Sequence, residues 1–323
     1  MRGDNPTWLE QTSAAAHHSH AWVPRELFPF ESRFLEIDGH VVHYVDEGSG
    51  PTLLLLHGNP TWSFIYRDII KRLAPAFRCV ALDYPGFGLS AAARGYDYRP
   101  RSHAHIVEEF VRRLQLGSFT LFVQDWGGPI GLWVAGRHPA RIRALVIGNT
   151  WAWPITGDKH FETFSKVMGG AVGRFGINNF NAFVNVLIPL GIRRQRVSRI
   201  VMDAYRGPFR ERAARKATWI FPREIVASAD FLREVELGLP LLADLPALLL
   251  WGDCDAAFRS VERQRFESTF RRHRTHVLHG AGHYIQEDAA EEIVRAIENW
   301  WERDVVVDSP GKDGDNGGCR SDG

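Results

Sequence analysis

Four stretches of this sequence hold side chains of the types, and in the order, that a two-step displacement would use. Asp125 sits in Val123-Gln124-Asp125-Trp126-Gly127-Gly128, and His283 closes Gly280-Ala281-Gly282-His283. A second acid, Asp253 or Asp255, lies in Gly252-Asp253-Cys254-Asp255, and His57-Gly58-Asn59 opens a loop far upstream. A carboxylate is already ionised near neutral pH, so Asp125 can attack an electrophilic carbon without help from a base. A histidine oriented by a second carboxylate can then take a proton from water. Each residue alone also has a plain structural use: Asp125 or either later Asp can N-cap a helix, and His283 can simply close a glycine turn.

The elements that must position these groups follow from apolar patterning. Residues 119–123 form a β-prone run, and residues 129–136 are small and apolar as suits a buried helix. Asp125 therefore falls in a sharp strand-to-helix turn, raised above a sheet edge and aimed at a helix N-terminus. Upstream, residues 33–37 and 40–45 read as two short strands around the Asp38-Gly39 turn, and 52–56 as a strand buried on both faces. A helix over about 64–73, a strand over 78–82 and an amphipathic helix over 102–116 follow, the last carried by Ile106, Phe110, Val111 and Leu114. Asp83, in Asp83-Tyr84-Pro85-Gly86-Phe87-Gly88, is expected to hold a tight loop.

Further strands are expected at 144–148, 247–251 and 275–278, with a last helix from about 289 to 301. Strands alternating with helices predict an α/β fold, a mostly parallel doubly wound sheet with its ligand site at the C-terminal strand ends. His57, Asp125 and Asn149 all fall at such ends. Between Trp151 and Leu239 no buried strand is apparent, while Trp151, Trp153, Phe161, Phe164, Phe175, Phe180 and Phe183 crowd together. This reads as an inserted helical cap, an apolar lid that would shield a small organic substrate from water. The expected organisation is an N-terminal extension (1–29), a first core part (30–150), the cap (151–239), a second core part (240–303) and a flexible tail (304–323).

Composition narrows the classes. With 39 basic and 38 acidic side chains in 323 residues, the net charge of +1 offers no field for nucleic acid or an anionic membrane. The arginine-rich stretch from Arg193 to Lys216 contains Asp203 and Glu211 and lacks regular aromatic interleaving, so it reads as a solvated helix face. Cys79, Cys254 and Cys319 lie far apart without C-x-x-C spacing, as expected of free thiols in a reducing, cytoplasmic setting. Residues 1–20 lack the basic start and apolar run of a secretory signal, and His17-His18-Ser19-His20 reads as a solvated tail. Neither a metal nor a cofactor is expected.

Several motifs together resemble one family. Tyr44-Val45-Asp46-Glu47-Gly48, His57-Gly58-Asn59-Pro60-Thr61-Trp62-Ser63, Asp83-Tyr84-Pro85-Gly86-Phe87-Gly88, Gln124-Asp125-Trp126-Gly127-Gly128 and Gly280-Ala281-Gly282-His283 are similar to those of the haloalkane dehalogenases, over roughly residues 30–303. The order nucleophile, acid, histidine is that of the wider α/β-hydrolases. The elbow departs from their commonest pattern, with Val123 at a glycine position and Asp125 where serine usually stands.

The resemblance implies an α/β-hydrolase fold and conversion of a haloalkane to a primary alcohol, halide and a proton through an alkyl-aspartate ester. It implies Asp125 as nucleophile, His283 as base, and Asn59 with Trp126 as the halide-holding pair. Backbone N–H groups of the same two residues would stabilise the oxyanion of ester hydrolysis, an effect of about 3–4 kcal/mol per donor. In this family the acid follows either the sixth or the seventh strand. Asn149 occupies the first position here and Asp255 matches the G-x-x-D spacing of the second, so Asp255 is preferred to Asp253. An Asp–His–Asp triad with an Asn–Trp pair resembles the third subfamily, whose members tend to self-associate. The implied partners are a small halogenated hydrocarbon, water and halide.

Other readings share the fold. An epoxide hydrolase would want two cap tyrosines, and Tyr205 is the only tyrosine between Trp151 and Leu239. A fluoroacetate-type dehalogenase would want an arginine beside the nucleophile, where Trp126 stands. A serine esterase would require the elbow to be misread, and a non-catalytic ligand-binding protein would keep the pocket while losing a catalytic group.

Overall fold

A computed structural model describes residues 22–306, so the N-terminal histidine cluster, Cys319 and the end of the chain lie outside the described residues. Eight strands form one sheet: β1 (Arg33–Ile37), β2 (His40–Glu47), β3 (Thr52–Leu56), β4 (Arg78–Leu82), β5 (Phe119–Gln124), β6 (Ile142–Gly148), β7 (Ala247–Gly252) and β8 (His273–Leu278). Their spatial order is β1-β2-β4-β3-β5-β6-β7-β8. β1 and β2 pair antiparallel around the Asp38-Gly39 turn, β2 pairs antiparallel with β4, and the remaining pairs are parallel.

The central strands are the continuous apolar runs of the sequence. Leu53 to Leu56 and all six residues of β5 are buried, because helices cover both sheet faces. Each such leucine or valine contributes roughly 1.5–3 kcal/mol through the area it removes from water. Register aligns the C-terminal ends: Leu56 lies opposite Val123, and Gln124 opposite Gly148. The residues that follow β3, β5, β6 and β7 are thereby delivered to one edge of the sheet.

Helices α1 (Arg67–Leu73), α2 (Pro100–Arg113) and α3 (Gly127–Arg137) connect the first strands. α1 is preceded by a 3-10 turn over Ser63–Tyr66, where the sequence suggests one continuous helix. α2 starts two residues earlier than its apolar spacing indicates, because Pro100 suits the first helical position, whose N–H would have no partner. α3 is buried along Gly127 to Ala135, as its small residues predict.

Between β6 and β7 the described chain forms only helices: α4 (Lys159–Met168), α5 (Ala171–Phe180), α6 (Ile188–Gly191), α7 (Arg199–Arg206), α8 (Lys216–Ala227) and α9 (Ala229–Gly238), with shorter turns between them. α10 (Ser260–Thr269) joins β7 to β8, and α11 (Ile285–Asp288) and α12 (Ala290–Trp300) follow β8. No helix among the described residues is long and apolar enough to cross a membrane.

Candidate active site

Asp125 occupies the turn between β5 and α3 with φ of 51°, a conformation that costs a non-glycine residue energy and is kept only where surroundings demand it. Those surroundings are on hand: Asp125 N–H donates to Asn149 O at 3.0 Å, and Asp125 O accepts from Gly128 N–H at 2.9 Å and from the Thr150 hydroxyl at 2.5 Å. Two glycines allow the close approach. A Cβ at Gly127 would lie 2.2 Å from Leu56 O, and one at Gly58 would lie 2.2 Å from Asp125 Oδ1.

The carboxylate is held by the loop after β3. Asn59 N–H donates to Asp125 Oδ1 at 2.7 Å, and the backbone N–H of Trp126 donates to the same carboxylate. Burial pushes the Asp125 carboxyl above its ordinary value; His283 and these two N–H groups pull the other way, and the net direction is up.

His283 lies between the two acids. Its Nδ1 is 3.0 Å from Asp255 Oδ2, and its Nε2 is 3.8 Å from Asp125 Oδ2. Burial pulls the imidazole pKa down, but the carboxylates of Asp255 and Asp125 outweigh it and leave the pKa above 6.5. Asp255 is itself fixed by Asn149 Nδ2 at 2.7 Å and by Ala257 N–H at 2.6 Å. Asp253 points elsewhere, to His279 Nδ1 at 2.8 Å and Gly280 N–H at 2.7 Å on the exposed surface. Gln124 adds a contact that sequence reading did not isolate: its Nε2 lies 3.3 Å from His283 Nε2 and donates to His283 O at 3.2 Å.

Asn59 and Trp126 line the same cavity of about 410 Å³ as Asp125 and His283. One amide hydrogen of Asn59 is spent on Thr218 O of α8 at 3.1 Å, which leaves the other for a ligand. The indole N–H of Trp126 meets no acceptor among the described residues. Phe161, Phe164, Phe183 and Ile225, all from the helical segment, supply apolar wall. Among the described residues no group of three or more His, Cys, Asp or Glu side chains could hold a metal ion.

Some expected residues stand away from the chemistry. His57 is buried, with Nδ1 2.9 Å from Gly58 O and Nε2 accepting from Tyr84 N–H at 3.3 Å, and burial lowers its pKa to about 4. It braces the loop that presents Asn59. Asp83 braces the neighbouring loop, accepting from Ser63 N–H at 2.7 Å and Leu89 N–H at 2.9 Å. Tyr205 is buried and donates to Glu287, outside the residues lining the cavity.

Trp151, one of the aromatic residues read as part of the apolar lid, packs edge-on against Trp126 at 4.6 Å. Other cavity residues escaped the sequence pattern: Phe258 stacks on His283 at 5.7 Å, and Tyr284 lines the cavity beside His283. Their nearness in sequence to Asp255 and His283 was the available signal. Arg193, read as the start of a solvated helix face, instead lies in the loop between α6 and α7 and lines the cavity.

The α/β hydrolase fold family matches residues 51–290. The chain is 44% identical over 274 residues to haloalkane dehalogenase 2 of Mycobacterium tuberculosis, covering 84% of this chain and 95% of that one. It is 32% identical over 283 residues to the cis-3-alkyl-4-alkyloxetan-2-one decarboxylase of Shewanella oneidensis, covering 85% and 89%. Among solved structures, haloalkane dehalogenase DbeA from Bradyrhizobium elkani superposes with a TM-score of 0.78 at 30% identity, covering 84% of this chain and 97% of that one.

Proposed function

The chain belongs to the haloalkane dehalogenase family of the α/β-hydrolase fold, and on that premise we propose that it hydrolyses haloalkanes to a primary alcohol, halide and a proton through an alkyl ester of Asp125. One observation carries the reading: a carboxylate, an imidazole paired with a second carboxylate, and two neutral N–H donors border one largely apolar cavity.

Asp125 Oδ1 is held by Asn59 N–H, so Oδ2 is the oxygen that attacks the carbon as the carbon–halogen bond breaks. The halide departs onto the Trp126 indole N–H and the remaining Asn59 amide hydrogen, donors that a dry pocket strengthens without adding charge. His283 then takes a proton from water, and the resulting hydroxide attacks Cγ of Asp125. The oxyanion that forms is stabilised by the backbone N–H groups of Asn59 and Trp126. Collapse expels the alkoxide, which takes the proton held by His283 and leaves as the alcohol, and the proton of the added hydroxyl passes to solvent as the Asp125 carboxylate is regenerated.

A second reading is carried by the likeness to the oxetanone decarboxylase. An oxetan-2-one has a carbon–oxygen bond whose leaving group is a carboxylate, and Asp125 could open it by the same attack. Decarboxylation would then form the alkene and expel Asp125 without water. An epoxide has weaker support, because Tyr205 is committed to Glu287.

The test is halide release from terminal bromoalkanes, run beside styrene oxide and a cis-3,4-dialkyloxetan-2-one, with Asp125→Ala as control. Bromide from the wild type alone supports dehalogenation. Carbon dioxide and alkene without bromide would move the chain to the decarboxylases, and diol without bromide to the epoxide hydrolases. The free thiols of Cys79 and Cys254 support a cytoplasmic setting, and light scattering would test the self-association that the resemblance implies.

A further inference from the structure

The structure assigns Arg193 as a subsite for an anionic group at the end of the substrate remote from the halogen; this rests on the dehalogenase reading and narrows its substrate class to ω-halocarboxylates. The cavity has a floor and a rim. Asn59 and Trp126 are buried at its floor beside Asp125, whereas Leu190, Arg193, Cys254 and Ala256 are exposed and mark its rim.

Arg193 is held in place at its backbone and along its stem. Its N–H lies 3.1 and 3.0 Å from the two oxygens of Asp288, which also accept from Arg194 N–H at 2.8 Å and Gly282 N–H at 2.7 Å. Its Cγ packs over Gly282, where a Cβ would come within 2.8 Å of it, so the stem runs alongside His283. The head group behaves differently from its neighbour's. The Arg194 guanidinium meets Glu292 and His279 O, while that of Arg193 has no carboxylate partner among the described residues.

No nearby acid forms an ion pair with it among the described residues. Asp288 is engaged by the three backbone N–H groups, and Asp125 and Asp255 are committed at the floor. An uncompensated guanidinium at the rim of an apolar cavity attracts an anion and can hold a carboxylate through charge-assisted hydrogen bonds. Position decides which halo acid fits. In an α-halo acid the carboxylate would sit beside the reacting carbon, next to Asp125, where two like charges repel. An ω-halo acid puts its methylenes against the aromatic wall and its carboxylate at Arg193.

The test compares bromide release from 6-bromohexanoate, its methyl ester and 1-bromohexane by the wild type, Arg193→Gln and Arg193→Lys. In the wild type kcat/KM for the acid exceeds that for the ester about fivefold or more at low salt, and the excess shrinks as ionic strength rises. Arg193→Gln abolishes the acid-to-ester preference, and Arg193→Lys keeps part of it. An acid no better than its ester in the wild type, or a preference untouched by Arg193→Gln, overturns the subsite. Bromide from 1-bromohexane alone sinks this inference and leaves dehalogenation standing. Silence on all three sinks both.

Discussion

Asn149 Nδ2 donates to Asp255 Oδ2 at 2.7 Å, and that same oxygen stands 3.0 Å from His283 Nδ1. The end of β6 thus carries an amide that orients the acid carried after β7. Asn149 also accepts from Gly252 N–H at 2.8 Å, which ties the two strand ends together.

Asp255→Asn should therefore lower turnover by roughly a thousandfold or more, because the imidazolium formed in ester hydrolysis loses its counter-charge. Asp253→Asn alters a carboxylate that meets His279, Gly280 and Cys254 rather than His283, and should stay within about threefold. Steady-state halide release from both variants decides between the two acids; equal losses would undo the assignment.

His283→Phe should release one halide per site and then stop. Intact-protein mass should show the alkyl group on Asp125, and Asp125→Ala should show neither halide nor mass gain. A freely turning-over histidine variant would mean that water attacks the substrate carbon directly.

The pH profile follows from the same pair. The His283 pKa is raised above 6.5, so its basic form is lost as pH falls through a value on the alkaline side of 6.5. Protonated His283 stabilises the Asp125 anion, so alkylation persists where hydrolysis has failed. Acid quenching on this limb should trap increasing amounts of alkylated enzyme. Loss of alkylation in step with turnover would contradict the division of labour.

Gly58→Ala should displace the Asp125 carboxylate, since the added carbon would sit 2.2 Å from Asp125 Oδ1. A shift approaching 1 Å costs on the order of a hundredfold in rate. Bromide release measured beside the melting temperature separates this from unfolding: the loss should appear in a protein that still melts cooperatively.

Glu287, on α11, links the helical segment to α1. It receives Arg67 Nη1 and Nη2 at 2.5 and 2.8 Å, together with the hydroxyl of Tyr205 from α7, all in buried surroundings. Glu287→Ala strands a buried guanidinium and should destabilise by about 3–5 kcal/mol. Tyr205→Phe, which removes one hydrogen bond, should cost about 1 kcal/mol. Urea titration of both variants checks the ratio; similar costs would mean that Arg67 finds solvent when Glu287 is removed.

Much of this site was legible in the chain because its determinants are local. The apolar run 119–123, the turn at Asp125 and the glycines after it specify strand, elbow and helix through interactions within a few residues. The G-x-x-D spacing of Asp255 and the glycine turn before His283 are equally short-range. What tertiary structure alone decided depends on side-chain direction between segments far apart in sequence. Asp253 and Asp255 differ by two positions, yet only the second faces His283. Trp151, Tyr284 and Arg193 reach the cavity from loops, after β6, after β8 and between α6 and α7, where no periodic pattern marks which side chain turns inward. His57 sits in the most suggestive loop but braces it from within, since burial and a backbone partner use its ring nitrogens. Local chemistry sets which turn forms; long-range packing sets what that turn faces.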